Sequence, residues 1–105
     1  MSTQESSANT AASGLLTYSV RVTGRVQGVG YRDFTRAAAQ QLRVSGWVRN
    51  DPDGSVHAVA QSSQQRLVDC LIERMREGPP GSRVDTVQLV QTETGEIFES
   101  FERRK

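Results

Sequence analysis

Apolar and polar residues alternate near the start of the folded part of the chain and predict a strand there. Four apolar residues occupy alternate positions: Leu16, Tyr18, Val20 and Val22. A period of two is typical of a strand with one buried face. The alternation ends in a glycine-rich segment, residues 24–32, and the spacing becomes helical after it. Asp33 lies in the first helical turn, where a negative charge complements the helix dipole. The predicted apolar face of this helix contains Phe34, Ala37, Ala38 and Leu42.

Two further strands are predicted to form a hairpin. The second strand spans Val44–Asn50 and the third spans Ser55–Gln61. Residues 51–54 between them have the composition of a tight turn, because Pro52 fixes its own φ and Gly54 accepts a positive φ. The turn therefore places the two strands side by side and antiparallel.

A second helix and two more strands complete the pattern. Ser62 and Gln65 have the spacing of a capping box, and the sequence Gly-Pro-Pro-Gly at residues 78–81 ends the helix. The predicted apolar face contains Leu67, Cys70, Leu71 and Met75. A fourth strand is predicted at residues 83–91 and a short final strand at residues 97–101.

This order of elements is typical of an α+β fold of the ferredoxin-like, split βαβ class (βαββαβ), a mostly antiparallel sheet with two helices on one face. A strand–helix–strand unit returns the chain in the same direction, so the first two strands end at the same edge of the sheet. The glycine-rich segment and Asn50 lie at those two ends. If one strand separates them, their backbones are about 10 Å apart, and their side chains can converge.

Composition indicates one small globular domain. The chain has 105 residues, a formal net charge of +1 and one cysteine, Cys70. The near-neutral charge argues against nucleic acid or a membrane surface as a partner, and a lone cysteine without metal-ligand spacing fits a reducing, cytoplasmic setting. We expect residues 1–14 to be a disordered leader and residues 15–105 to form a monomeric domain. The terminal cluster, residues 103–105, indicates a solvated basic tail.

The segment between the first strand and the first helix is a candidate anion site. Gly24, Gly28 and Gly30 allow sharp turns and close approach of backbone amides to a ligand, and the adjacent helix N-terminus favours negative charge. Arg32 closes the segment with a guanidinium that can bind two phosphate oxygens at once. The Walker A loop and the dinucleotide fingerprint are both absent. On these residues alone, a connecting loop with a surface arginine remains open.

Other chemically capable residues have structural interpretations. His57, the single histidine, has no evident Ser or Cys partner and is expected to be an ordinary strand residue. Cys70 is expected to be a buried thiol, and Trp47 is expected to pack in the core or on a sheet face. Arg49 should point into solvent on the side opposite Asn50, because neighbours in a strand alternate.

Two longer motifs resemble those of the acylphosphatase family. Residues 24–32, Gly-Arg-Val-Gln-Gly-Val-Gly-Tyr-Arg, resemble its signature G-x-V-Q-G-V-x-[F/Y]-R, and residues 46–56 resemble G-W-V-x-N-x-x-x-G-x-V. The resemblance extends from about Leu16 to Phe101. It implies the same split βαβ fold that the periodicity predicts.

The resemblance also implies hydrolysis of small-molecule acyl phosphates to a carboxylate and inorganic phosphate. Arg32 matches the arginine that binds the phosphoryl group, and Asn50 matches the asparagine that orients the attacking water. Substrate-binding backbone amides are implied at Gln27, Gly28, Val29, Gly30, Tyr31 and Arg32. The leaving carboxylate has a conjugate acid of pKa roughly 4 and needs no general acid at neutral pH, so no metal or cofactor is expected.

Two other classes of function remain open. The same fold and amide cradle could bind phosphate or carboxylate without hydrolysis, and such a module would not need a water-positioning Asn50. An RNA-binding split βαβ domain would stack bases on aromatic residues of its central strands, and residues 55–61 contain no aromatic ring of the Phe, Tyr or Trp type.

Overall fold

A computed structural model describes residues 14–105 of the chain. The leader that the composition predicts therefore lies outside the described residues, except for Gly14. Five strands and two helices follow one another along the described part: β1 (Leu16–Arg25), α1 (Tyr31–Leu42), β2 (Ser45–Asn50), β3 (Val56–Ser62), α2 (Gln65–Glu77), β4 (Arg83–Thr92) and β5 (Phe101–Arg103).

The five strands form one sheet in the order β4-β1-β3-β2-β5. β1 pairs antiparallel with both β3 and β4, β2 pairs antiparallel with β3, and β2 pairs parallel with β5. The predicted α+β, split βαβ fold is confirmed. β3 is the single strand between β1 and β2, so the glycine-rich segment after β1 and Asn50 at the end of β2 share one edge of the sheet.

The hydrophobic core lies between the sheet and the two helices. Alternate strand residues face it and are buried: Val20, Val22, Val48, Val56, Ala58 and Ala60. Burial of a Val-sized side chain stabilises a fold by about 1.5–3 kcal/mol relative to exposure. This packed face holds β1 and β2 in fixed relative positions, and both strands end at the same cavity.

The buried faces of both helices differ from the predicted ones. α1 buries Tyr31, Thr35, Ala38 and Ala39, whereas Ala37 is exposed. α2 buries Val68, Leu71, Ile72 and Met75. Cys70 is exposed, so the prediction of a buried thiol was wrong. The sequence of α2 permits two overlapping apolar stripes, and the one that contains Val68 and Ile72 offers more apolar surface to the sheet.

The predicted capping box of α2 does not form. Ser62 remains in β3, opposite Leu16 of β1, and its Oγ accepts a hydrogen bond from the Gln64 amide at 3.0 Å. The helix then begins at Gln65, and its N-terminus has no side-chain cap. The serine is therefore a turn residue between strand and helix.

The final strand begins later than predicted. The Gln61 side chain binds the backbone of the residues that precede β5. Its Nε2 donates to the Glu96 carbonyl at 3.0 Å, and its Oε1 accepts from the Phe98 amide at 2.9 Å. These bonds replace a strand ladder there, and Ile97 is exposed. β5 starts only at Phe101, whose ring is buried.

The hairpin turn between β2 and β3 forms as predicted. The Asp51 amide donates to the Ser55 carbonyl at 2.9 Å, and Gly54, with φ of 93°, donates to the Asp51 carbonyl. Asp53 receives hydrogen bonds from Ser55 and from Arg21 of β1, and these hold the pKa of its carboxyl well below the usual range. The turn is thereby tied to the neighbouring strand.

Within residues 14–105, no helix has the length and hydropathy of a membrane span.

Candidate active site

The predicted site residues meet at a small cavity at the edge of the sheet where β1 and β2 end. The cavity has a volume of about 140 Å³. Its lining comprises Val26, Gly28, Gly30, Tyr31, Arg32, Asp33, Asn50 and Arg103. A cavity needs roughly 10–15 Å³ of such volume to hold one water, so this cavity has room for a phosphoryl group and an attacking water.

Arg32 lies in the first turn of α1, and a backbone contact orients its side chain. Its Nη1 donates a hydrogen bond of 2.8 Å to the main-chain carbonyl of Arg104. The Arg104 amide in turn donates to the Val48 carbonyl of β2 at 2.7 Å. The end of the chain therefore holds the guanidinium against the cavity and leaves its other donors for a ligand.

Asn50, the last residue of β2, lines the same cavity and carries an unpaired acceptor. Its Oδ1 is buried and has no hydrogen-bond partner among the described residues. An unsatisfied buried acceptor costs about 1–3 kcal/mol, so buried oxygens of this kind are rare in folded proteins. Because Asn50 lines a cavity, a water bound there is a candidate partner for this oxygen.

The backbone between β1 and α1 has positive φ at two glycines. Gly28 and Gly30 have φ of 75° and 80°, and neither Val29 nor Tyr31 has a positive φ. Backbone amides next to such glycines can form an anion-binding concavity. No side chain caps the N-terminus of α1 at Gly30, so the amides of its first turn are available to an anion.

Two of the six predicted binding residues do not line the cavity. The Gln27 side chain turns away, and its Nε2 donates to the carbonyls of Asp51 and Ser55 at 2.8 and 2.9 Å. Val29 packs against the hydrophobic core. Gln27 thus fastens the loop to the β2–β3 turn, and Val29 fastens it to the core. Both residues position the loop, whereas Gly28, Gly30, Tyr31 and Arg32 border the cavity itself.

Tyr31 anchors the start of α1. Its hydroxyl donates a 2.7 Å hydrogen bond to the Met75 carbonyl in the last turn of α2. That carbonyl is one of the four at a helix C-terminus that lack a partner within the helix. Burial raises the pKa of Tyr31 well above its ordinary value of 10.0. The phenol therefore stays protonated and serves as a structural link.

Asp33 and Arg103 also line the cavity, although no sequence motif predicts either residue to be part of the site. Arg103 Nη1 lies 3.2 and 3.4 Å from the two carboxylate oxygens of Asp33. Residues 103–105 are exposed, as predicted, but Arg103 belongs to β5 and pairs with Asp33, so it is not part of a free tail. A short basic run at a chain end carries no sequence signal of this contact, because 70 residues separate the two partners.

His57, Trp47 and Arg49 lie on the helix-free face of the sheet, opposite Asn50. His57 Nε2 is 2.8 Å from Ser19 Oγ, so the expectation that it has no serine partner was wrong. The Trp47 ring is buried between the Arg49 and Arg104 guanidiniums, at 5.0 and 4.9 Å, and meets the His57 ring edge-on. The prediction of sheet-face packing for Trp47 is confirmed.

Arg49 is not simply solvated. Its Nε lies 3.0 Å from Asp51 Oδ1, and its guanidinium covers the Trp47 ring. Burial and the nearby Arg49 charge lower the pKa of His57 below 6.5. The helix-free face thus carries a packed aromatic and ionic cluster that does not reach the cavity.

A larger cavity, of about 420 Å³, lies at the opposite end of the sheet. It is bordered by the end of α1 and the start of α2, with Arg43 as its one charged lining residue. Within residues 14–105, no three His, Cys, Asp or Glu side chains are grouped so that they could hold a metal ion. The smaller cavity is the one that combines a cation, free amides and an unpaired acceptor.

Known proteins with similar sequences match most of the chain. The model of the acylphosphatase family matches residues 18–103. An acylphosphatase of Salinibacter ruber is 48% identical over 87 residues, which cover 83% of this chain and 90% of that protein. An acylphosphatase of Acaryochloris marina is 49% identical over 81 residues, which cover 77% of this chain and 85% of that protein.

Solved structures agree with these matches. The acylphosphatase of Bacillus subtilis superposes with a TM-score of 0.81 at 31% identity and covers 86% of this chain and 99% of its own. That of Coxiella burnetii superposes with a TM-score of 0.80 at 33% identity and covers 86% of this chain and 93% of its own. The chain belongs to the acylphosphatase family and is a hydrolase of that family.

Proposed function

We propose that the chain hydrolyses the carboxyl–phosphate bond of acyl phosphates in the small cavity, with Arg32 and the backbone amides of residues 28–32 holding the phosphoryl group and Asn50 positioning the water. The observation that carries this proposal is that Arg32 and Asn50 line one cavity and that the Asn50 Oδ1 is unpaired. The cavity lining also includes two glycines of the loop between β1 and α1.

The phosphoryl oxygens are bound by fixed donors. The guanidinium of Arg32 offers a planar set of N–H groups that match phosphate, and the amides of the loop and of the α1 N-terminus add partial positive charge. Phosphoryl transfer depends mainly on positioning and on stabilisation of charge at the equatorial oxygens. Donors that are fixed before the reaction lower the barrier without reorganisation.

Asn50 directs the nucleophile. Its Oδ1 accepts one hydrogen of a water, so the water oxygen is free to face phosphorus. The oxygen bonds to phosphorus as the bond from phosphorus to the carboxylate oxygen breaks. The carboxylate leaves unprotonated, and the protons of the water remain with the inorganic phosphate. The neutral amide takes no proton, and its contribution is orientation.

Arg32→Ala tests the phosphate-binding role. We expect kcat/KM for benzoyl phosphate, followed by ultraviolet absorbance with EDTA present, to fall by about 10³- to 10⁵-fold, the range for loss of an arginine that stabilises a transferring phosphoryl group. Arg32→Lys should restore only part of the rate, because an ammonium lacks the planar fork.

Arg66→Ala is the matched control. Arg66 is an exposed arginine of α2 that does not line the cavity, and its loss should change kcat/KM by less than about twofold. An Arg32→Ala variant that retains near wild-type turnover would contradict the assignment. Wild-type protein that binds phosphate but turns over no acyl phosphate would favour the non-catalytic binding module.

We also propose that the enzyme acts as a monomer in a reducing compartment. Arg32, Asn50 and the loop glycines of the cavity lining supply the groups that the proposed reaction needs. The exposed Cys70 has no disulfide partner among the described residues, which fits reducing conditions. Light scattering of the purified protein, with and without reductant, tests the monomeric state and whether Cys70 forms a disulfide-linked dimer.

A further inference from the structure

We propose that Arg103 is a specificity-determining residue that favours acyl phosphates whose acyl group carries a second anionic group. The inference rests on the proposed function, since it concerns the part of the same substrate that extends beyond the phosphoryl group.

Arg103 lines the same cavity as Arg32. The cavity has a volume of about 140 Å³, and both guanidiniums belong to its lining. The Arg103 side chain is 41% exposed. A phosphoryl group held by Arg32 therefore places its acyl group in or beside a space that Arg103 borders.

The fold presents Arg103 toward the cavity. β5 runs parallel to β2, and Arg103 pairs with Val48, whose side chain faces the core on the same side as Asn50. The next residue, Arg104, places its side chain over Trp47 on the other face and its carbonyl on Arg32. The contact that fixes Arg32 thus also fixes the backbone beside Arg103.

Arg103 can bind a substrate anion at little cost. Its contacts with Asp33 both use Nη1, and a guanidinium has five N–H donors. Asp33 has a second cationic partner, because Arg36 Nη2 lies 3.4 Å from its Oδ1. When Arg103 turns toward a ligand, Asp33 is still paired with Arg36. The charged residues that line the cavity, Arg32, Asp33 and Arg103, sum to a net positive charge that attracts an anion.

A pair of matched substrates measures this selectivity. One is 3- or 4-carboxybenzoyl phosphate, and the other is the corresponding methyl ester, which has the same ring without the second charge. The readout is the ratio of kcat/KM for the carboxylate to kcat/KM for the ester. Changes in folding, in active fraction or in the positioning of Arg32 affect both substrates and cancel in this ratio.

We expect Arg103→Gln to lower the ratio by roughly two- to fivefold, the range of a partly exposed ion pair. Arg103→Lys, which keeps the charge, should retain most of the wild-type ratio. Asp33→Asn should raise the ratio, because it removes the carboxylate that competes for Arg103. Added salt should reduce the wild-type ratio through screening, whereas Arg66→Gln should leave it unchanged.

Two failures are distinguishable. If both substrates are hydrolysed in an Arg32-dependent manner and Arg103→Gln leaves the ratio unchanged, the inference about Arg103 is wrong and the proposed function stands. If neither substrate is hydrolysed by the wild-type protein, the proposed function is wrong and the inference falls with it.

Discussion

Among single residues, Asn50 and Gln27 are two side-chain amides with different hydrogen bonding, and we propose that the first serves the reaction and the second the fold. Gln27 Nε2 donates two hydrogen bonds to backbone carbonyls, so its burial is compensated. The Asn50 Oδ1 is buried without a partner among the described residues. Polar groups left unpaired at functional sites reduce stability in return for ligand binding.

This contrast predicts opposite effects on stability. Asn50→Ala should leave the free energy of unfolding unchanged or raise it by up to about 1 kcal/mol, because the unpaired acceptor is removed. Gln27→Ala should lower the free energy of unfolding by about 1–2 kcal/mol through the loss of two satisfied bonds. Urea unfolding of the two variants measures both values. Equal destabilisation by the two substitutions would show that Asn50 is paired in the folded protein.

At the scale of elements, the start of α1 depends on contacts with distant parts of the chain. Tyr31 binds the end of α2 through the Met75 carbonyl, and Arg32 binds the carbonyl of Arg104 just after β5. Gln27 fastens the preceding loop to the β2–β3 turn. Three elements thus fix the direction of one helix N-terminus, and the amides at this N-terminus are those proposed to bind phosphate.

Tyr31→Phe tests the link between the helices. The change removes a buried hydroxyl that satisfies a free helix carbonyl, so we expect a loss of about 1 kcal/mol in the free energy of unfolding and a Tm lower by about 4–8 °C. Tyr18→Phe is the control, because the Tyr18 hydroxyl makes its 2.7 Å bond to Gln65 at an exposed position. That variant should lose less than about 0.5 kcal/mol. Equal losses in the two variants would contradict the anchoring role of Tyr31.

At the scale of the whole molecule, stability should depend on pH through His57. Burial, followed by the charge of Arg49, lowers the pKa of this histidine in the folded state, while Asp51 opposes the shift in part. Below its ordinary pKa of 6.5, the unfolded state therefore binds more protons than the folded state. The contribution of neutral His57 to the free energy of unfolding is fully present above pH 6.5. It is lost as pH falls through the folded-state pKa of this histidine.

We therefore expect the free energy of unfolding to decrease as pH falls from 7.5 toward 5. His57→Gln keeps a polar side chain beside Ser19 but cannot titrate, so its free energy of unfolding should vary less over the same range. Urea unfolding at half-unit pH intervals compares the two proteins. Parallel pH profiles would show that groups other than His57 control stability in this range.

The sequence predicted the features that short-range patterns encode. The period-two strands, the Pro52–Gly54 turn and the order of elements followed from spacing and turn chemistry, and the resemblance supplied the roles proposed for Arg32 and Asn50. The register of each helix face did not follow, because the α2 sequence contains two apolar stripes and packing against the sheet selects one. Contacts such as Arg103–Asp33 and Tyr31–Met75 join residues 70 and 44 positions apart, and no local pattern indicates them.

The proposed role of Asn50 in positioning the water is tested most directly by comparing wild-type protein with Asn50→Ala. Both proteins are measured for benzoyl phosphate hydrolysis and for binding of inorganic phosphate, with EDTA present. Arg49→Ala, a neighbour in the same strand on the opposite face, is the control and should leave both measurements within about twofold of wild type. We expect Asn50→Ala to lower kcat by about 100-fold or more, since a misplaced nucleophile costs this much, while the Kd for phosphate stays within about twofold. A kcat near wild type, or a parallel loss of kcat and phosphate affinity, would contradict the assignment of Asn50 as the residue that positions the water.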